Sequence, residues 1–83
     1  MRVDKFLSSV NILKRRSIAQ DMCENNAIKI NGNIAKSSKK VRVGDTITLH
    51  YLEYTKAYEV LAIPTTKTIP KSKSSEYYKE LSK

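Results

Sequence analysis

The stretch that decides the fold is residues 14–36, which read KRRSIAQDMCENNAIKINGNIAK. It opens with three consecutive cations and continues as a short amphipathic run. That run predicts a helix over roughly residues 16–25, because Ala19, Met22 and Cys23 fall on one side of a 3.6-residue period. The stretch therefore places a strongly basic segment at the start of a helix.

The second half of this stretch predicts a β-hairpin. Asn25-Asn26 is expected to close the helix, with one Asn in the left-handed region. Ile28-Lys29-Ile30 alternates as a half-buried strand does. Asn31-Gly32 follows, and a type I′ turn favours this pair because it needs positive φ at both central residues.

Upstream of this stretch, the periodicity predicts a first helix. Val3, Phe6, Leu7 and Val10 recur at the spacing of one helical face. The helix is expected to end near Asn11, because Asn tolerates left-handed geometry. Two helices therefore precede the first strand.

Downstream, alternating segments predict more strands, at residues 41–43, 46–51 and 55–63, separated by polar turns such as Gly44-Asp45. The predicted fold class is α+β, with two N-terminal helices packed on a small antiparallel sheet of three to five strands. Residues 1–63 are expected to form this domain, and residues 64–83 a basic linker with a short tail. Residues 76–81 within that tail are a candidate for a short helix.

The charge of the chain points to a polyanionic partner. Sixteen Lys and Arg oppose eight Asp and Glu, for a net charge of +8. The excess is concentrated in residues 1–50, which hold ten cations and four acids. A basic domain of this kind is typical of nucleic-acid binding, and the alternative is a solvated surface that only keeps the protein in solution.

The cations at the start of the second helix are the first candidates for a binding site. A cationic helix start is locally unfavourable, because the N-terminal end of the helix dipole is already positive. A bound anion would relieve this conflict. From sequence alone we therefore expect Arg16→Ala to leave folding intact and to weaken binding.

The predicted phosphate-binding surface has two parts. The side chains at the helix ends should grip phosphate groups, and a polar basic loop should extend the surface from the sheet side. The candidates are Arg2, Lys5, Lys14, Arg15, Arg16 and Ser17 on the helices, and Lys36, Ser37, Lys39 and Lys40 on the loop.

Several other classes of protein are disfavoured. Cys23 is the only cysteine, so no disulfide can form within the chain, and it is expected to be a small core residue. A pairing of Cys23 with His50 as nucleophile and base is remote, and we expect no catalytic residue, metal or cofactor. No apolar run approaches a membrane span, and Met1 is not followed by the apolar segment of a signal peptide, so a cytoplasmic location is expected.

The order and spacing of these motifs resemble the S4 RNA-binding domain. The matching features are Arg2-Val3-Asp4 with Phe6-Leu7, Lys14 with Arg16 and Ala19, Ile28 to Gly32, Lys36-Ser37, and Val41 to Ile47. Two positions depart from the family pattern. Arg15 stands where the family often has a Ser or Thr, which removes a candidate helix cap, and Asn26 stands where it often has Gly.

The resemblance implies a function. The size of the chain looks like that of the stand-alone bacterial S4 proteins, which include a heat-shock protein and a ribosome quality-control factor. These bind the large ribosomal subunit that carries a stranded peptidyl-tRNA. The resemblance thus implies contact with ribosomal RNA and tRNA. Separately, we expect the protein to be monomeric when free.

Two other functions are compatible with the residues. A DNA-binding protein could place the second helix in a major groove, although only Gln20 offers an outward amide to read base edges. A protein-interaction adaptor could work through its tyrosines, Tyr51, Tyr54, Tyr58, Tyr77 and Tyr78. Salt dependence and a comparison of RNA with DNA would separate these functions.

Overall fold

The computed structural model of this chain describes residues 1–65 and 69–81. Three helices are present in these ranges: α1 is Val3–Ser9, α2 is Arg16–Glu24 and α3 is Lys71–Ser74. Five strands complete the fold. They are β1 Ile28–Ile30, β2 Asn33–Ile34, β3 Thr46–His50, β4 Thr55–Val60 and β5 Tyr78–Glu80.

The first two helices form as predicted, and Asn residues end them. Asn11 has a φ of 67° and follows α1, where the backbone N–H groups of Ile12 and Leu13 both donate to the Leu7 carbonyl. Asn26 has a φ of 58° just after α2. Short polar side chains enter this left-handed region at low cost, so both chain reversals are confirmed.

The strands form one antiparallel sheet in the order β2-β1-β3-β4-β5. Asn31 and Gly32 have φ values of 53° and 86°, as the predicted type I′ turn between β1 and β2 requires. The Asn31 side chain also joins this turn to the next one: its Nδ2 donates to Asp45 Oδ1 at 3.1 Å, and its Oδ1 accepts from the Thr46 N–H at 3.0 Å. The predicted α+β class is confirmed.

The core lies between α1 and the inner face of the sheet. Four residues predicted for one face of α1 are fully buried, and they belong to the same apolar cluster as residues of β1, β3 and β4. The fully buried members are Val3, Phe6, Leu7 and Val10 in and just after α1, Ala19 in α2, and Ile28, Ile47, Leu49 and Val60 in the strands. The helix is therefore packed against the sheet through a shared apolar core.

Residues 41–43 are not a regular strand, contrary to the alternation of Val41 and Val43. Val41 is buried but Val43 is 63% exposed. The pairing in this region is a single antiparallel bridge between Arg2 and Lys40. The segment thus pairs with the N-terminus instead of extending the sheet.

The C-terminal region also differs from its prediction. The helix predicted for residues 76–81 is wrong: Tyr78–Glu80 is β5 and pairs with β4 at the sheet edge. Within the predicted linker, Ile69 is buried in the core and α3 follows it, while residues 66–68 lie outside the described ranges. The boundary after residue 63 stays a prediction, which truncation can test.

Among the described residues, no helix has both the length and the apolar character to span a membrane.

Candidate nucleic-acid interface

The N-terminus and the basic loop are joined by backbone pairing. The Val3 N–H donates to the Lys39 carbonyl at 2.7 Å, and the Val41 N–H donates to the Met1 carbonyl at 2.9 Å. These bonds flank the bridge between Arg2 and Lys40. Cations that are far apart in sequence are thereby brought to one side of the molecule.

Four of the predicted site residues line one shallow concavity of about 530 Å³. Arg2 precedes α1, Lys5 lies in its first turn, Arg16 begins α2 and Lys40 comes from the basic loop. We call this the N-terminal concavity; Met1, Pro64 and Thr65 complete its lining. The helix ends and the loop therefore meet at this point.

Behind the two arginines lies the carboxylate of Asp4, which is fully buried. Arg16 Nε donates to Asp4 Oδ2 at 3.1 Å, and Arg2 Nε lies 3.5 Å from Asp4 Oδ1. Gln20 Nε2 also donates to Oδ2, at 3.0 Å, and the backbone N–H of Lys5 donates to Oδ1 at 2.7 Å. The buried charge is thus compensated by two guanidinium groups and two further donors.

The ionisation of Asp4 follows from these contacts. Burial by itself raises the pKa of this carboxyl group, since the charged form loses its hydration. The hydrogen bonds from Gln20, Arg16 and the Lys5 backbone outweigh burial, so the pKa of Asp4 is lowered. Asp4 is therefore a carboxylate at neutral pH.

This carboxylate changes the interpretation of Arg16. The anion that relieves the cationic start of α2 is supplied by the protein itself, through Asp4. We therefore revise the expectation that Arg16→Ala leaves folding intact, because the substitution removes a partner from a buried charge. Arg15, which stands where the S4 family often has a Ser or Thr, makes no side-chain hydrogen bond that would cap α2.

A second concavity, of about 720 Å³, lies beside β2 and the basic loop. Lys36, Lys39 and Lys40 line it, together with Arg42. Lys40 lines both concavities, so the two form one continuous basic surface. Arg42 was not among the candidates from the sequence, because it was assigned to a strand. Exposed Lys40 and Arg42 alternate with buried Val41, and this alternation was the available signal.

The other predicted residues are less tightly grouped. Lys14, Arg15 and Ser17 are exposed around the start of α2 but line neither concavity. Ser37 is half-buried in the basic loop and also lies outside both linings. Their role in binding stays a prediction.

Several residues on which the alternative functions depend make hydrogen bonds or ring contacts within the protein. Gln20, the one amide available for reading bases, donates to Asp4 instead. Tyr58 is buried and packs edge-on against Tyr78, with ring centroids 5.3 Å apart. Tyr54, 55% exposed, stacks at a tilt on half-buried Tyr51.

Cys23 and the potential metal ligands bear on the enzyme alternative. Cys23 is buried, as predicted, and burial together with the charge of Asp4 raises its pKa to about 11. Within residues 1–65 and 69–81, no cluster of three His, Cys, Asp or Glu side chains is placed to hold a metal ion.

Comparison with known proteins gives consistent matches. The S4 domain family model matches residues 1–47. The RQC P-site tRNA stabilizing factor of Helicobacter pylori is 49% identical over 77 residues, which cover 93% of this chain and 92% of that protein. A protein of the same name from Halalkalibacterium halodurans is 33% identical over 78 residues, covering 94% of this chain and 86% of the relative.

Two solved structures share the fold over nearly the whole chain. The trimeric structure of Vibrio cholerae Heat Shock Protein 15 has a TM-score of 0.86 and 31% identity, and covers 96% of this chain and 80% of that one. The solution structure of a hypothetical protein, HP1423, has a TM-score of 0.86 and 47% identity, and covers 100% of this chain and 99% of that one. From its motifs, its fold and these matches, the chain belongs to the S4 domain family.

Proposed function

We propose that this protein is a non-catalytic RNA-binding protein that recognises structured RNA by its phosphate backbone and its shape. The observation that carries the proposal is the N-terminal concavity, where four cations from three separate segments surround one depression. The second concavity continues the basic surface along the loop. Such a surface matches a ribose-phosphate backbone better than a base edge.

The residue types suit this task. An arginine side chain presents a planar fork that can donate two parallel hydrogen bonds to one phosphate. A-form RNA hides its base edges in a deep and narrow groove, so a rigid basic protein surface contacts its backbone and overall shape. Weak sequence preference and strong salt dependence follow from this mode of binding.

The RNA that we propose is ribosomal RNA of the large subunit, tRNA, or both. The Helicobacter pylori and Halalkalibacterium halodurans relatives are named as factors that stabilise a P-site tRNA, and this chain aligns with most of their length. We propose the same setting here: quality control of stalled ribosomes in the cytoplasm, by a protein that is monomeric when free. Because the structure of the Vibrio cholerae neighbour is trimeric, the oligomeric state of this protein should be measured.

The experiment that tests this proposal compares two lysine variants in RNA binding. Lys40 lines both concavities, whereas Lys79 is exposed on β5, at the opposite edge of the sheet from β2. Lys40→Ala should weaken binding to ribosomal RNA about tenfold and flatten the slope of log affinity against log salt by roughly 0.7–0.9. Lys79→Ala should change neither quantity.

The outcomes separate the candidate functions. Equal affinity for duplex DNA and duplex RNA at one salt concentration would contradict RNA recognition, and partner binding that ignores salt would favour the adaptor function. Equal effects of Lys40→Ala and Lys79→Ala would show that the basic surface is not where RNA binds. Sedimentation with purified ribosomal subunits tests whether the protein binds the large subunit. Sedimentation of the free protein tests whether it is a monomer.

A further inference from the structure

The buried carboxylate of Asp4 is an unexpected feature of a surface that binds polyanions. It lies directly behind the candidate site and has no exposed surface, so RNA cannot touch it. Its negative charge nevertheless lowers the positive potential of the N-terminal concavity. By charge alone, Asp4 should therefore weaken binding.

The contacts of Asp4 with Arg2 and Arg16 indicate how it can nevertheless strengthen RNA binding. Each arginine contacts the carboxylate through Nε, one at each carboxylate oxygen. The Arg2 and Arg16 side chains remain 44% and 43% exposed. Arg16 is thus hydrogen-bonded to the carboxylate and Arg2 is ion-paired with it, while a large part of each side chain stays exposed.

The neighbouring contacts hold the carboxylate itself in place. Gln20 Nε2 and the Lys5 N–H donate to different oxygens of Asp4, at 3.0 Å and 2.7 Å. With both oxygens occupied, the carboxylate plane is defined by α1 and α2 together. The two arginines are consequently oriented by a group that has little freedom of its own.

We infer that Asp4 is a positioning residue for RNA binding, which orders Arg2 and Arg16 in advance so that together they can grip one phosphate group. This inference rests on the proposed RNA-binding function. An exposed arginine loses much rotamer freedom when it binds, and that loss opposes binding. Asp4 removes part of it before RNA arrives.

Asp4→Asn tests the inference, because charge and positioning predict changes of opposite sign. The substitution makes the protein one unit more positive, so a charge effect would tighten RNA binding. Loss of positioning should instead weaken binding about tenfold, the order expected when two rotamer-rich side chains lose their preorganisation. Asp21→Asn is the matched control, since Asp21 is an exposed acid on α2, and it should tighten binding by no more than about twofold.

A double-mutant cycle shows whether Asp4 acts through the arginines. With Arg2 and Arg16 both replaced by alanine, Asp4→Asn has nothing left to position and should no longer weaken binding. General damage to the fold would weaken binding equally in both backgrounds. Circular dichroism at the assay temperature verifies that each variant is folded.

A measurement on the unmodified protein keeps the inference testable if Asp4→Asn does not fold. In NMR spectra, the Nε–H protons of Arg2 and Arg16 should exchange with water at least about tenfold more slowly than that of Arg15, which is exposed. Equal exchange rates would overturn the inference, as would unchanged or tighter RNA binding by folded Asp4→Asn. Failure of the unmodified protein to bind RNA would instead reject the proposed function.

Discussion

Arg16→Ala is expected to destabilise the protein by about 1–2 kcal/mol at pH 7, because it removes one partner of the buried Asp4 carboxylate. Breaking a fully buried ion pair in this way costs about 3–5 kcal/mol. Here Asp4 keeps the Arg2 contact at 3.5 Å and the Gln20 hydrogen bond at 3.0 Å. The Arg16 side chain is also 43% exposed, so solvent already screens part of the interaction.

Thermal unfolding followed by circular dichroism measures this effect. For a domain of this size, a change of 1–2 kcal/mol corresponds to a fall in melting temperature of roughly 5–15 °C. Arg15→Ala is the matched control: Arg15 is exposed, adjacent and of the same type, and the described structure shows no ion pair for it. An exposed substitution of that kind should stay within about 0.5 kcal/mol of wild type.

The pH dependence gives a second and independent check. The pKa of Asp4 is lowered in the folded protein: burial raises it, and the hydrogen bonds from Gln20, Arg16 and the Lys5 backbone more than offset that. A carboxyl group of this kind stabilises the fold above its unfolded pKa, which is about 3.9, and this stability is lost as pH falls through the folded pKa. The difference in stability between wild type and Arg16→Ala should therefore be present at pH 7 and shrink below about pH 4.

Two results would refute this reasoning. One is equal melting temperatures for Arg16→Ala and Arg15→Ala at pH 7, which would mean that Asp4 does not depend on Arg16. The other is a difference between wild type and Arg16→Ala that stays constant down to pH 3. In that case the contribution of Arg16 would come from packing and not from the carboxylate.

Four further predictions follow from burial and backbone geometry. Phe6→Ala should cost about 3–5 kcal/mol in chemical denaturation, because the ring is fully buried; an unchanged midpoint would contradict this. Gly32→Val should cost about 1–3 kcal/mol, because φ is +86° there, and RNA affinity measured well below the melting temperature should persist. Since burial raises the pKa of Cys23 to about 11, alkylation at pH 8 should be far slower in the folded protein than in denaturant. A chain ending at residue 63 loses β5 and the buried Ile69, so its melting temperature should fall; an unchanged value would support residues 1–63 as a complete domain.

The elements that depend on local rules were predictable from the sequence. The reversals at Asn11, Asn26 and Asn31 require positive φ, and few residue types other than Gly tolerate it. The face of α1 and the alternation in β3 follow from repeats of 3.6 and two residues. These signals lie within a few neighbouring residues, so no knowledge of the rest of the chain is needed to read them.

The C-terminal strand was not predictable in this way. Tyr78–Glu80 is only three residues long, too short for a period of two to be distinguished from a helical one. It becomes a strand because β4 offers an open edge with unpaired backbone groups, to which the N–H and C=O groups of β5 can pair. That partner is known only once the rest of the sheet is in place.

For the candidate site, the sequence indicated the ligand class and most of the cations that line the two concavities, because charge and residue type are properties of single positions. Tertiary structure alone decided which of them meet, since Arg2, Arg16 and Lys40 are far apart in the chain and converge through the packing of two helices and one backbone bridge. It also decided the role of Asp4. In sequence this residue is only an acid in the first turn of a helix, and its burial between two arginines depends on α2 lying against α1. Burial and ion pairing are properties of distances between segments, and these distances exist only in the folded chain.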